Sequence, residues 1–268
     1  EERHKGHIRA LLRFAMEEMH DTGMILSYLY PFSHTYYRKF GYELGYVKFS
    51  NTMPFTSLRC FTKNGRVRFF MPGEDASDII NIYNSFIADK NLAMVRSDEH
   101  WKRWLGSDPY RTGKYTFIWY DDGGNPKSYI IASSKPREYE RADMEVNELV
   151  WLDRESLFGI LGFLTNFIPK YDKLKVQTPV WMDFWNIIPE PYEVEKGLVT
   201  GGMARIIDVE KVLELIPPPE GKGSLTLKVS DSFLEWNNGT FRIEWDDGEL
   251  EVSRENDEPD LECSIQAL

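Results

Sequence analysis

Arg3-His4-Lys5-Gly6-His7-Ile8 decides how the rest of this chain is read. The stretch has the form Arg-x-x-Gly-x-apolar. The spacing predicts an amphipathic helix opening from it, with Ile8, Leu11, Leu12, Ala15, Met16 and Met19 along one face. A glycine-bearing turn at a helix N-terminus points backbone N–H groups outward with the helix dipole behind them, which suits an anion and in particular a diphosphate. Arg3 and Lys5 add positive charge beside it. Taken alone, the stretch reads equally as a basic, solvated helix start. The residues from His20 to Glu43 separate the two readings.

His20-Asp21-Thr22-Gly23 is a helix stop, and Met24-Ile25-Leu26-Ser27-Tyr28-Leu29-Tyr30 is an apolar run of strand length. Pro31-Phe32-Ser33-His34-Thr35 opens a short helix with Ser33 or Thr35 as its cap, and Tyr36-Tyr37-Arg38-Lys39-Phe40-Gly41-Tyr42-Glu43 comes next. Loop, helix, strand, short helix and aromatic-x-x-Phe-Gly-Tyr, in that order, resemble the acetyl-CoA-binding half of a GCN5-related N-acetyltransferase (GNAT). Met203-Ala204-Arg205-Ile206-Ile207-Asp208-Val209 and the strand-rich stretch 224–268 narrow the resemblance to the Eis (enhanced intracellular survival) group. That group carries two tandem acetyltransferase-like domains and a sterol-carrier-like domain. The resemblance covers essentially the whole chain. It implies an α/β (α+β) protein: tandem acyl-CoA N-acyltransferase folds with mixed central sheets, then a partial α+β sterol-carrier-like domain. It also implies that the chain begins after the first strands of the first domain and stops before the helices of the last.

Composition is compatible with this. The 268 residues have room for one large domain or for two to three small ones, and 42% hydrophobic with 14% aromatic residues supplies a core. No run reaches transmembrane length, so no membrane insertion is expected. Cys60 and Cys263, far apart in sequence, read as buried or incidental thiols rather than a disulfide, which fits a reducing cytoplasm. The net charge of −11 argues against a broad nucleic-acid surface and is compatible with a small cationic substrate.

The chain divides at two places. Positions 42–49 alternate toward a strand that Asn51-Thr52-Met53-Pro54 is expected to break, closing a first, CoA-binding domain over 1–53. A second GNAT-like domain is expected over 54–216. In it, Asp75 caps a helix, Asp121-Asp122-Gly123-Gly124-Asn125-Pro126 joins a hairpin, and strand, helix and strand succeed one another between 144 and 181. This last arrangement repeats the one around 6–30. Set beside Arg3-His4-Lys5-Gly6, the stretch Arg154-Glu155-Ser156-Leu157 puts leucine at the glycine position and glutamate where a diphosphate would sit. The second copy is therefore expected to be a degenerate scaffold. Pro217-Pro218-Pro219-Glu220-Gly221-Lys222-Gly223 is the linker into the third part, 217–268, where Asn237-Asn238-Gly239 and Asp246-Asp247-Gly248 read as hairpin turns.

Acetyl transfer from a thioester to an amine needs a held co-substrate, a polarised thioester carbonyl, a deprotonated amine and a proton for the leaving thiolate. Tyrosine, with an ordinary pKa of about 10, is still protonated at neutral pH and suits the last task. The resemblance implies that Tyr37, in the Tyr-x-x-Phe-Gly-Tyr motif, is the general acid, and that Arg3, His4, Lys5, Gly6, His7 and Ile8 bind the co-substrate acetyl-CoA. Tyr36 and Tyr42 read as packing residues. In the family the general base is the C-terminal carboxylate. Leu268 is not given that role, and the base is unassigned. His4, His7, His20, His34 and His100 show no metal-ligand spacing, and Asp121-Asp122 lacks the alternating acids of a calcium loop, so no metal is expected. The resemblance further implies direct acetyl transfer to primary amines, aminoglycoside antibiotics foremost and lysine side chains or polyamines besides, by a homohexamer. A carrier of lipids or other hydrophobic ligands, working through the C-terminal part without catalysis, is the competing reading. A tandem acyltransferase taking longer acyl groups or an aminoacyl donor is a third.

Overall fold

The structure, a computed structural model, describes residues 6–138 and 140–268. In chain order the elements are α1 (His7–Asp21), β1 (Leu26–Leu29), α2 (His34–Arg38), β2 (Glu43–Leu44), β3 (Val47–Pro54), β4 (Arg66–Phe70), α3 (Ser77–Ile87), α4 (Asp98–Leu105) and α5 (Pro109–Thr112). The chain continues with β5 (Lys114–Tyr120), β6 (Pro126–Arg137), β7 (Glu140–Trp151), α6 (Arg154–Leu164), β8 (Tyr171–Pro179), β9 (Glu195–Thr200), β10 (Met203–Ile206), α7 (Val209–Leu213), β11 (Lys222–Ser230), β12 (Gly239–Asp246), β13 (Glu249–Glu255) and β14 (Leu261–Ser264). They form two compact units, one of the chain up to Tyr46 with Thr200–Leu268, the other Val47–Val199.

The Val47–Val199 unit is a seven-stranded sheet in the order β4-β5-β6-β7-β8-β3-β9. Strand alternation decides its two faces. On β5, Trp119 enters the core beneath α6, while its neighbour Ile118 enters the core beneath α3 and α4. The pair β7–β8 is parallel, with α6 as its crossover, and pairs only from Ala142/Tyr171 to Val146/Val176. Beyond that point β8 keeps β3 as its partner, as far as Lys48↔Pro179. Asn51-Thr52-Met53-Pro54 does not break the strand as expected but continues β3 across position 53/54. Asn51 is fully buried because its amide donates to the Thr178 hydroxyl (3.2 Å) and the Val176 carbonyl (3.4 Å), and Pro54 costs little at a strand's last residue.

In the other unit a short sheet has the order β1-β10-β2, so a strand from far along the chain lies between two early ones, antiparallel to both. Its core contains Met16, Phe40, Tyr42, Met203, Ile207, Phe233 and Leu234. The buried stripe of α1 is Leu12, Met16 and Met19; Ile8 and Leu11, expected on the same face, are exposed, as is Phe14. The helix turns the edge of its apolar arc, not the middle, toward Phe233, and Arg9 lies over that ring at 4.9 Å.

The last strands form a sheet in the order β13-β12-β11-β14, on which α7 packs Val209 and Leu213. Asp246-Asp247-Gly248 makes the expected tight turn, with Asp247 (φ 45°) and Gly248 (φ 95°) both left-handed. Asn237-Asn238-Gly239 does not. The β11–β12 connection is the longer stretch 231–238, and its asparagines staple it. Asn237 accepts from the Val209 N–H (3.2 Å), and Asn238 accepts from the Asp231 N–H (2.7 Å).

Candidate active site

Gly6 is the N-cap of α1, with φ 79° and ψ 2°. Among the described residues no atom stands within 4 Å of where a Cβ would lie, so among them the glycine is required by the backbone angle and not by space. No side chain caps this helix and no acid occupies its first turn, so the positive end of the dipole carries no protein anion among the described residues. His7 and Ile8 are its first two helical residues and both are exposed. Arg3, His4 and Lys5 lie outside the described residues.

The second copy is arranged oppositely. Asp153 is the N-cap of α6. Its carboxylate accepts from the Ser156 N–H (2.8 Å), and the Ser156 hydroxyl accepts from the Asp153 N–H (3.2 Å). Burial pushes the Asp153 carboxyl up, but the Ser156 N–H and the Lys127 ammonium at 3.1 Å outweigh it and hold it below the usual range. Glu155 adds a second charge. Matching cap to cap therefore sets Gly6 against Asp153, not against Leu157. The expected register was four residues off, since Leu157 lies inside the helix and is buried in the core. Where β7 and β8 have parted, Trp151 and Trp181 stand 5.6 Å apart at the two strand ends, and Phe86 packs on both. Glu148 on β7 is held by the Arg96 guanidinium (2.5 and 3.1 Å) and the Trp104 indole N–H (2.8 Å), and Arg96 lies over Tyr83 at 3.9 Å.

Tyr37 stands on α2, which Ser33 caps by accepting from the Tyr36 N–H (3.3 Å). Its half-buried ring meets Phe32 (5.4 Å), Tyr36 (5.4 Å) and Tyr42 (5.8 Å) edge-on, and its hydroxyl has no hydrogen-bond partner among the described residues. The Nε2 of His34, one turn earlier, is buried without a hydrogen-bond partner among the described residues. The Tyr37 carbonyl accepts from the N–H of Phe40 (2.9 Å), so the motif folds back on the helix that carries the tyrosine. Phe40 packs on Phe233 at 5.2 Å, and the hydroxyls of Tyr42 and Ser27 are 2.8 Å apart; burial raises the Tyr42 hydroxyl above its ordinary value. Tyr36 and Tyr42 are thus packing residues, as expected.

Gly41 has φ 81°, and a Cβ there would come within 2.7 Å of the Arg205 Cζ. Arg205, on β10, is wholly buried against Asp231 at 2.5 Å, their side chains 0% and 1% exposed. Asp231 also accepts from the Asn237 amide (3.0 Å) and from the N–H groups of Phe233 (2.9 Å) and Leu234 (3.0 Å). Burial pushes its carboxyl up, but the Arg205 guanidinium and these donors hold it below the usual range. Burial likewise moves Arg205 down, from so high an ordinary value that the guanidinium keeps its charge.

An acetyltransferase (GNAT) domain model matches residues 1–45, a second matches 92–206, and a sterol carrier protein domain model matches 209–268. The chain thus carries two GNAT acetyltransferase regions and, after them, a sterol-carrier-like region. Its fold is that of a GCN5-related N-acetyltransferase of Anabaena variabilis (22% identical, TM-score 0.83, covering 99% of this chain and 67% of that one). A probable N-acyltransferase of Enterococcus faecalis is similar (21%, TM-score 0.83, 99% and 66%), as is Eis1 of Mycobacterium abscessus (17%, TM-score 0.77, 99% and 67%). The chain spans about two thirds of the length of these proteins. No curated relative matches it.

Sequence reasoning on this chain missed the groups that hold the Phe-Gly-Tyr motif from outside it. A signal was present, because an arginine within Met203-Ala204-Arg205-Ile206-Ile207 is too costly to bury unless a carboxylate waits for it. It also missed a tyrosine cluster at the ends of β1 and β2. Tyr28 and Tyr46 stack at 6.1 Å, Tyr28 accepts from the Gly202 N–H (2.9 Å), and the hydroxyls of Tyr30 and Tyr46 are 3.1 Å apart. The bond to Tyr46, first, and then burial push the Tyr30 hydroxyl up to about 12. Among the described residues no helix is long and apolar enough to cross a membrane.

Proposed function

We propose that the Eis-like protein is an acetyl-CoA-dependent N-acetyltransferase whose working site is in its first GNAT domain, with Tyr37 as general acid. Acetyl-CoA, as co-substrate, supplies the thioester. The start of α1 is suited to the diphosphate because, among the described residues, its N–H groups have no capping side chain and its first turn has no acids. Arg3, His4, Lys5, His7 and Ile8 join Gly6 in this assignment. The Tyr37 hydroxyl, without a protein partner among the described residues, is available to donate its proton to a leaving thiolate. Exposed rings of Tyr28, Tyr30 and Phe32 offer π faces to a cationic amine before it loses its proton.

The observation that carries the reading is the contrast between the two helix starts: left-handed glycine with no cap in one, an aspartate capping box in the other. The acceptors proposed are primary amines, aminoglycosides first and then lysine or polyamine amines. A homohexamer, a cytoplasmic setting and the division into 1–53, 54–216 and 217–268 belong to the same reading.

The test is thiol release by the full-length protein over an amine panel that includes an aminoglycoside and a lysine peptide. Tyr37→Phe is expected to lower turnover about a hundredfold while acetyl-CoA affinity changes little. Gly6→Asp, which adds charge and a strained φ, is expected to lower that affinity. Unchanged turnover in the first variant removes the acid assignment. Unchanged affinity in the second favours a lipid carrier, which does not use this turn.

A further inference from the structure

Past the C-terminal end of α6 the sheet of the Val47–Val199 unit keeps an open cleft of about 280 Å³. It lies on the same sheet face as the core beneath α6. Phe117 of β5 and Met144 of β7 form its floor with Tyr171, the first residue of β8, and Tyr110 and Tyr115 stand at its sides. This is near the lower end of the volumes that hold small organic ligands, roughly 300 Å³ upward, and its mostly apolar, aromatic lining is what such sites have.

Its polar groups set the charge of what would fit. Among the described residues, Lys170 is the only charged one in the lining. Its ammonium lies 5.9 Å over the Tyr115 ring and 5.3 Å over the Tyr171 ring. It forms no ion pair among the described residues. The acid nearest in sequence, Asp172, is taken up by Arg137 (3.0 Å) and Arg141 (2.9 Å). Tyr171 is 3% exposed, yet neither its hydroxyl nor that of Tyr115 has a hydrogen-bond partner among the described residues. A hydroxyl donor on a buried ring and an unpaired ammonium beside one apolar cavity complement an anion with a hydrocarbon body. A cationic amine would meet Lys170 with no carboxylate to offset the repulsion. The cleft is therefore of opposite selectivity to the site proposed around Tyr37.

We propose that this cleft binds a small apolar carboxylate, its ring or alkyl body on the Phe117–Met144–Tyr171 floor and its carboxylate at the Lys170 ammonium. The test is calorimetric titration of the full chain, without acetyl-CoA, with 2-naphthoate and with its charge-reversed counterpart 2-naphthylmethylammonium. Saturable one-to-one binding of the carboxylate alone is expected, weakened about tenfold or more in Lys170→Met, which keeps an apolar stem at an exposed position. A second measurement uses only the native chain: bound 2-naphthoate is expected to slow acylation of the Lys170 amine by an N-hydroxysuccinimide ester relative to other exposed lysines, read by mass spectrometry. Absence of saturable binding overturns the proposal. So does equal binding of the amine, equal affinity in Lys170→Met, or unchanged Lys170 labelling. None of these results bears on Tyr37, because the assay contains no acetyl donor.

Discussion

Gly41 ties a short signature to the rest of the molecule. The Phe-Gly-Tyr pattern is legible in the sequence, but the physical reason for its glycine is not local. A left-handed φ is one part, and the Arg205 guanidinium packed where a Cβ would go is the other. Gly41→Ala is expected to cost about 3 kcal/mol, by urea unfolding, because both penalties apply. Gly6→Ala has only the first, with no atom of the described residues within 4 Å of the added Cβ, and is expected to cost about 1 kcal/mol. The difference between the two measurements is the contribution of Arg205. Gly6 was legible as a helix-start glycine because its signal is local. The reason for Gly41 was not, because its neighbour is 164 positions away in sequence, at 205 against 41.

At the scale of elements, the two helix starts differ most in how they are capped. Sequence reading saw the second copy as unfit for a diphosphate but set Leu157 against Gly6. Only the N-cap geometry shows Asp153 in that place, holding the dipole's positive end with its own carboxylate. Asp153→Ala is expected to cost about 1 kcal/mol by thermal unfolding. Acetyl-CoA stoichiometry is expected to stay at that of the native chain, because the rings of Trp151, Trp181 and Phe86 still pack on one another at the parted strand ends. A second bound equivalent would show that the cap alone had excluded the ligand. The stripe of α1 illustrates the complementary error. Periodicity found an apolar arc, but the arc is wider than the contact, and the core took Leu12, Met16 and Met19 while leaving Ile8 and Leu11 exposed.

At the scale of the whole molecule, chain distant in sequence completes the fold around Tyr37. β10 separates β1 from β2, and the Arg205–Asp231 pair lies behind the motif. Asp231→Ala leaves a buried guanidinium unpaired and is expected to destabilise by about 3 to 5 kcal/mol. The pair also sets an acid limit. The Asp231 carboxyl is lower in the folded chain than in the unfolded one, so its contribution is full above about pH 4 and lost as pH falls through the folded value. Unfolding free energy measured against pH is expected to fall on the acid side in the native chain, with a shallower slope in Asp231→Asn. Sequence by itself determined α1 and the strand after it, the helix between two strands at 144–181, the glycine that caps α1, the tyrosine motif and the strand-rich end, because each rests on local backbone preference or on periodicity. Only the tertiary structure decided which face of α1 is buried, which residue caps α6, and that Arg205 and Asp231 brace Gly41, because burial and charge pairing depend on neighbours that the chain brings together only when folded.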